Sequence, residues 1–211
     1  MKRLHGLLLL LLAFVGSARA TNTISWQKSL FDLSPMYTST GSLLDGSFTF
    51  QLGTFTLSPT ISNVDQWETN WKLLSTGTWD TVDQAFGNSF TFNTDGTVSG
   101  LAGSATFTQG EQAYLWVRNG QEMALLTDFS GSDSNSRWML PSMTNLNAGA
   151  FIWELPTADT VIFGGVNGLQ SGTAHTFDPG GSFRLQTSPV PEPGSALLLL
   201  STSFMLLRRR R

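Results

Sequence analysis

Apolar and polar residues alternate along much of this chain, in short runs rich in Phe, Thr, Val and Trp that Gly, Asn or Asp interrupt. Successive side chains of a strand point to opposite faces, so this is strand patterning. Within 47–55 (SFTFQLGTF), Phe48, Phe50 and Leu52 share one face while Thr49 and Gln51 share the other, which predicts a half-buried strand. Runs 89–92 and 97–101 flank Thr94-Asp95-Gly96, and runs 113–118 (AYLWVR) and 121–127 (QEMALLT) flank Asn119-Gly120. Asp-Gly and Asn-Gly both accept positive φ, so each pair of runs predicts a hairpin. Further runs at 151–155, 160–163 and 182–186 add three strands.

One stretch breaks the pattern. Ser62-Asn-Val-Asp65 has the form of a helix start, and Val64, Trp67, Trp71 and Leu74 then recur at helical spacing. The expectation is an all-β fold: an antiparallel β-sandwich, open or jelly-roll-like, with one short helix covering an end. No fixed-length repeat interrupts it. About 170 residues lie between the terminal segments, enough for one domain that buries about 70% of its unfolded surface.

Both ends depart from strand patterning. Lys2 and Arg3 precede an unbroken apolar run, Leu7 to Val15, and Ala18 and Ala20 place small residues where signal peptidase reads. A surface helix would carry a single apolar stripe, whereas Leu7 to Leu12 is apolar all round. Residues 1–20 therefore read as a signal helix, with the mature chain beginning at Thr21. The secreted domain is expected over 21–188, with Thr187-Ser188-Pro189 as a short linker into a tail at 189–211.

In that tail, Pro191-Glu192-Pro193-Gly194 opposes helix and presents an extended peptide. An apolar stretch follows, Ala196 to Leu207, and then Arg208, Arg209, Arg210 and Arg211. At about 1.5 Å per residue the stretch spans roughly 18 Å, against a hydrocarbon core of about 30 Å. It therefore predicts a marginal C-terminal hydrophobic helix, with the arginines held on the cytoplasmic side as a stop. The combination resembles the PEP-CTERM sorting signal of Gram-negative bacteria. The resemblance covers Val190 to Arg211, about a tenth of the chain, and departs from the pattern at the polar Ser201-Thr-Ser203. It implies that Pro191, Glu192 and Pro193 are recognised by an exosortase, a membrane-embedded transpeptidase-like enzyme. It further implies export through the inner membrane and delivery to the cell surface or the extracellular polysaccharide matrix.

Composition narrows what the domain between these signals can be. Seven of the twelve basic residues lie in the terminal segments and fourteen of the fifteen acids lie between them, leaving the middle at about −9. Nucleic-acid binding needs a basic face, and so does a polybasic membrane contact; both are disfavoured. The absence of Cys removes disulfides, thiolate metal sites and thiol nucleophiles. His175 alone would remain after signal cleavage, and no G-x-S-x-G elbow, phosphate loop or dinucleotide fingerprint accompanies it. The expectation is no catalytic residue, no cofactor and no metal ligand.

Weaker candidates remain. Asp80 with Asp83, or Asp65 with Glu68, could form a carboxylate pair, although an acidic domain supplies such pairs as solvated surface. Asp133-Ser-Asn135 starts like a calcium loop, but Arg137 and Trp138 stand where a ligand and a Gly would be wanted. Seven Trp are many for one small domain, and indole faces stack on sugar rings. Trp116 and Trp153 have core neighbours, whereas Trp26, Trp79 and Trp138 are the candidates for exposed glycan contacts. The leading expectation is a non-catalytic structural or adhesive surface protein whose partners are signal peptidase, the exosortase, the inner membrane and extracellular polysaccharide. A secreted carbohydrate-binding module is the alternative. A secreted glycoside hydrolase or lyase rests only on the abundance of acids.

Overall fold

The computed structural model describes residues 21–28, 34–93, 95–99, 106–108, 110–127, 151–155, 160–166, 169–171 and 185–191. The predicted signal helix, the C-terminal hydrophobic helix, and residues 100–101 and 182–184 of two predicted strands lie outside them. Twelve strands run along the described chain. They are β1 Thr21–Gln27, β2 Met36–Tyr37, β3 Thr49–Phe55, β4 Trp71–Asp80, β5 Ala85–Asn93 and β6 Tyr114–Arg118. The second half holds β7 Glu122–Thr127, β8 Phe151–Glu154, β9 Thr160–Val166, β10 Leu169–Ser171, β11 Leu185–Gln186 and β12 Ser188–Pro189. All join one sheet in the order β2-β11-β9-β7-β6-β3-β4-β5-β1-β8, with β10 beside β9 and β12 beside β7.

Alternation decides which face each residue serves. Phe50 and Leu52 of β3, Leu115 and Val117 of β6, and Ala124 and Leu126 of β7 point into one buried cluster. That cluster also takes Met36 and Leu185 from one end of the sheet order and Ile24 and Trp26 of β1 from the other. One core touched by both ends requires the sheet to curl on itself. The intervening residues of β6 and β7, namely Tyr114, Trp116, Met123 and Leu125, join Trp67 and Phe163 in a second cluster on the opposite face. These two strands are thus buried on both sides, which explains why their sequences are apolar nearly throughout.

The second cluster is roofed by the non-strand segment. It begins as a 3-10 turn, Ile61–Gln66, and continues as a single α-helical turn, Trp67–Asn70. Asn63 organises the entry: its Oδ1 accepts from the Thr60 N–H at 2.8 Å and from the Trp67 indole N–H at 2.9 Å. The predicted helix starts at Ser62 and continues to Leu74. The structure instead places the cap at Thr60 and turns extended at Trp71, with ψ 129°. Trp71 and Leu74 belong to β4, so their helical spacing arises differently. A register shift falls between Leu52 and Gly53 opposite β4, and such an irregularity changes which face successive residues serve. Trp71 accordingly packs with the roofed cluster, and Trp79, further along, with the main core.

Three more expectations are corrected. The sheet is mixed: β1 pairs β8 in parallel and β11 pairs β2 in parallel, because neither pair is joined by a hairpin. The hairpin around Asn119-Gly120 forms, but Arg118 pairs Met123 and the Asn119 N–H donates to Glu122 O at 3.1 Å, so the turn centres on Gly120-Gln121. Gly120 alone there has positive φ (89°), while Asn119 Oδ1 accepts from the N–H of Gln121 at 3.0 Å and of Glu122 at 2.9 Å. The pairing is offset by two residues from the predicted one, which leaves every side chain on its expected face. Finally, Thr187-Ser188-Pro189 is no linker: Thr187 is fully buried, and Ser188 and Pro189 pair Met123 and Glu122.

The turn at Asp95-Gly96 stands as expected, with Gly96 at φ 82° and its N–H bonded to Asn93 O at 3.0 Å. Gly53 matters for a different reason, since a Cβ there would lie 2.5 Å from both the Trp71 ring and the Lys72 carbonyl. The indole lies directly on the glycine backbone. Gly53→Val is expected to lower stability by about 1–3 kcal/mol through overpacking, read as a fall in urea midpoint at unchanged slope.

Candidate functional site

One densely hydrogen-bonded part of the described residues is the segment 185–190, which pairs with β9, β2 and β7. Leu185 is buried in the main core, and Gly164 (φ 82°) leaves the space into which the Gln186 carbonyl fits, since a Cβ there would lie 2.6 Å from that oxygen. The Thr187 N–H donates to Tyr37 O at 2.9 Å, and its hydroxyl donates to Glu122 Oε2 at 2.5 Å. Glu122 also accepts from the Ser39 N–H at 3.0 Å and from the Ser39 hydroxyl. One carboxylate at the foot of the β6–β7 hairpin thereby fastens both the Ser39 turn and the outgoing strand. Beyond it the Val190 N–H donates to Gln121 O at 2.7 Å, and the Val190 side chain packs against the roofed aromatic cluster. Pro191 is the first exposed residue of the predicted motif. Glu192, Pro193 and Arg208 to Arg211 lie outside the described residues, as do Ala18 and Ala20.

Sequence reasoning missed this clamp. Ser39 and Thr187 stand 83 and 65 residues from Glu122, and no local pattern marks residues that meet only through the sheet.

The tryptophans divide differently from expectation. Trp26, a candidate for exposure, is 2% accessible, because its face of β1 turns into the main core, where its ring packs against Phe86 and over Gly77. It offers no face to a ligand. Trp79 is half-buried: its ring lies 4.8 Å from Phe50, and its indole N–H donates to Asp45 O at 2.8 Å. The Ser47 hydroxyl beside Asp45 holds that carboxyl below its usual range and keeps the Asp45–Ser47 turn folded. Trp116 is core as expected, with Trp67 and Trp71 edge-on to it at 6.0 and 5.2 Å and the Arg118 guanidinium 4.0 Å above its ring. Burial raises the pKa of Tyr114 in the same cluster. Trp138 and the Trp153 side chain lie outside the described residues.

The acid pairs are put to local use. Glu68 forms an ion pair with Arg118, and Asp80 Oδ1 accepts from the N–H of Val82 at 2.8 Å and of Asp83 at 3.2 Å, closing a turn. A third carboxylate forms an ion pair that further hydrogen bonds reinforce. Glu111 receives the Lys72 ammonium at 3.0 Å on both oxygens, the Thr54 hydroxyl at 3.0 Å and the Thr108 N–H at 3.0 Å. Lys72 also sits 4.7 Å over the Phe107 ring. Among the described residues no group of three or more His, Cys, Asp or Glu could hold a metal. His175 and the Asp133-Ser-Asn135 segment lie outside them.

No family model matches this chain, and neither a curated protein nor a solved structure is significantly similar to it.

For Glu111, burial raises the carboxyl pKa, but the hydrogen bonds from Lys72, Thr54 and Thr108 outweigh it and hold the group below the ordinary 4.5. A depressed carboxylate stabilises the fold above its unfolded value, and that contribution disappears as pH falls through the folded value. Glu111→Gln is therefore expected to cost about 1–3 kcal/mol at neutral pH in urea unfolding, since it removes charge-assisted bonds from a partly buried lysine. The difference between the two proteins should shrink below pH 4.5. A difference constant from neutral to acid would contradict the assignment.

Proposed function

We propose that this chain is an exported protein with a PEP-CTERM-type tail, handed to an exosortase and displayed at the cell surface or in the extracellular polysaccharide matrix as a structural or adhesive component. The observation that carries the reading is the ordered set Pro191-Glu192-Pro193, the apolar 196–207 and Arg208 to Arg211, at the opposite end from a signal sequence.

A non-catalytic role is supported by how the polar groups are spent. Glu68, Glu111 and Glu122 each hold one segment of chain to another, and Asp80 closes a turn. The core reaching from β2 to β1 favours reading the curled sheet as a sandwich closed around one interior, with the strands of its two halves facing across it. Trp79 favours a second reading, a carbohydrate-binding module, because its hydrogen bond to Asp45 O fixes the orientation of a half-exposed indole.

Two measurements separate these readings. In a host carrying an exosortase, the intact mass should correspond to a chain that starts at Thr21 and ends near Pro191. In a host without one it should retain the tail. Arg208 to Arg211 kept in both hosts would make the tail a plain anchor and defeat the sorting assignment. For the second reading, migration on polysaccharide affinity gels should be retarded, and Trp79→Ala should abolish the retardation. Equal mobility of the two proteins on every gel would dismiss it.

A further inference from the structure

We propose that the outgoing strand, Leu185 to Val190, is a gate on processing of the tail; the inference rests on the sorting reading above. An enzyme that grips an extended peptide takes hold of its backbone N–H and C=O groups. The motif offers few donors, because Pro191 and Pro193 have no N–H. The nearest upstream donor is the Val190 N–H, and it is already bonded to Gln121 O at 2.7 Å. The residues before it are withheld as well: Ser188 and Pro189 are paired with β7, and Thr187 is buried with its hydroxyl on Glu122. Docked strand and enzyme therefore compete for the same stretch of backbone, and no free spacer separates the domain from the motif. Peeling Ser188 to Val190 from β7 would free that backbone while leaving Leu185 in the core. The reactive form is the peeled one, and the rate of processing scales with its population.

A reversible lock tests the gate. Ser188 and Met123 are paired on adjacent antiparallel strands, where Cα atoms stand about 4.5–5.5 Å apart, within the range a disulfide spans. The chain has no Cys, so Ser188→Cys with Met123→Cys forms one defined bridge. The full-length double variant, oxidised or reduced, is presented to membranes containing an exosortase, and loss of the tail is followed by intact mass. The oxidised form should be processed at least about tenfold more slowly than the reduced form of the same protein. A six-residue Gly-Ser insertion between Val190 and Pro191 should restore processing to the oxidised form, because it supplies unpaired backbone upstream of the motif. Thermal unfolding of both redox forms checks that each is folded. Equal rates for oxidised and reduced protein would overturn the gate while leaving sorting intact. Absence of processing in every form, the unsubstituted chain included, would overturn the sorting reading and the gate with it.

Discussion

The structure depends on one constraint, which is that the β6–β7 hairpin must be covered on both faces. Leu115, Val117, Ala124 and Leu126 face one cluster, and Tyr114, Trp116, Met123 and Leu125 face the other. A sheet that met water on one side would need only the first set. The second set creates an apolar surface, which the 60–70 segment roofs with Trp67 and Val64, and which Val190 completes from the outgoing chain. Aromatic pairs contribute about 0.5–1.5 kcal/mol each beyond their area. The Phe55, Trp67, Trp71, Tyr114 and Trp116 contacts thus stabilise a domain that has no disulfide to restrict its unfolded state.

Polar side chains serve this arrangement by fastening the coverings down. Asn63 holds the roof through Thr60 and Trp67, Glu122 holds the exit through Ser39 and Thr187, and Glu111 ties Lys72 to Thr54 and the Thr108 backbone. Each hydrogen bond contributes only about 1 kcal/mol, so their importance lies in position more than in sum. The Glu122 clamp in particular joins fold to proposed function: the same strand that completes the aromatic cluster ends where the proposed sorting motif begins.

That junction changes how the tail is understood. As a flexible tether, the motif would be available regardless of the state of the domain. With Val190 hydrogen-bonded to Gln121 and packed on the aromatic cluster, the proposed gate couples its availability to local opening of β12. Processing would then sense whether the domain is folded, without any separate regulatory site.

Local pattern in the sequence determined what local physics controls. Alternation over 47–55 placed Phe50 and Leu52 in the core, and the two turn signals located both turns, because side-chain direction and positive φ are properties of a few neighbouring residues; of the strand expected over 97–101, the described residues show only an isolated bridge from Val98 to Phe92. Tertiary structure alone decided the rest. Trp71 and Leu74 follow helical spacing yet form strand, because Asn70 ends the helix and the shifted register beside Gly53 seats the indole on the glycine backbone. Trp26 is buried because the curled sheet closes a core over its face, where Phe86 and Gly77 meet the ring. The Glu122 clamp joins residues from three distant segments, and no periodicity encodes a contact whose partners meet only once the sheet has curled.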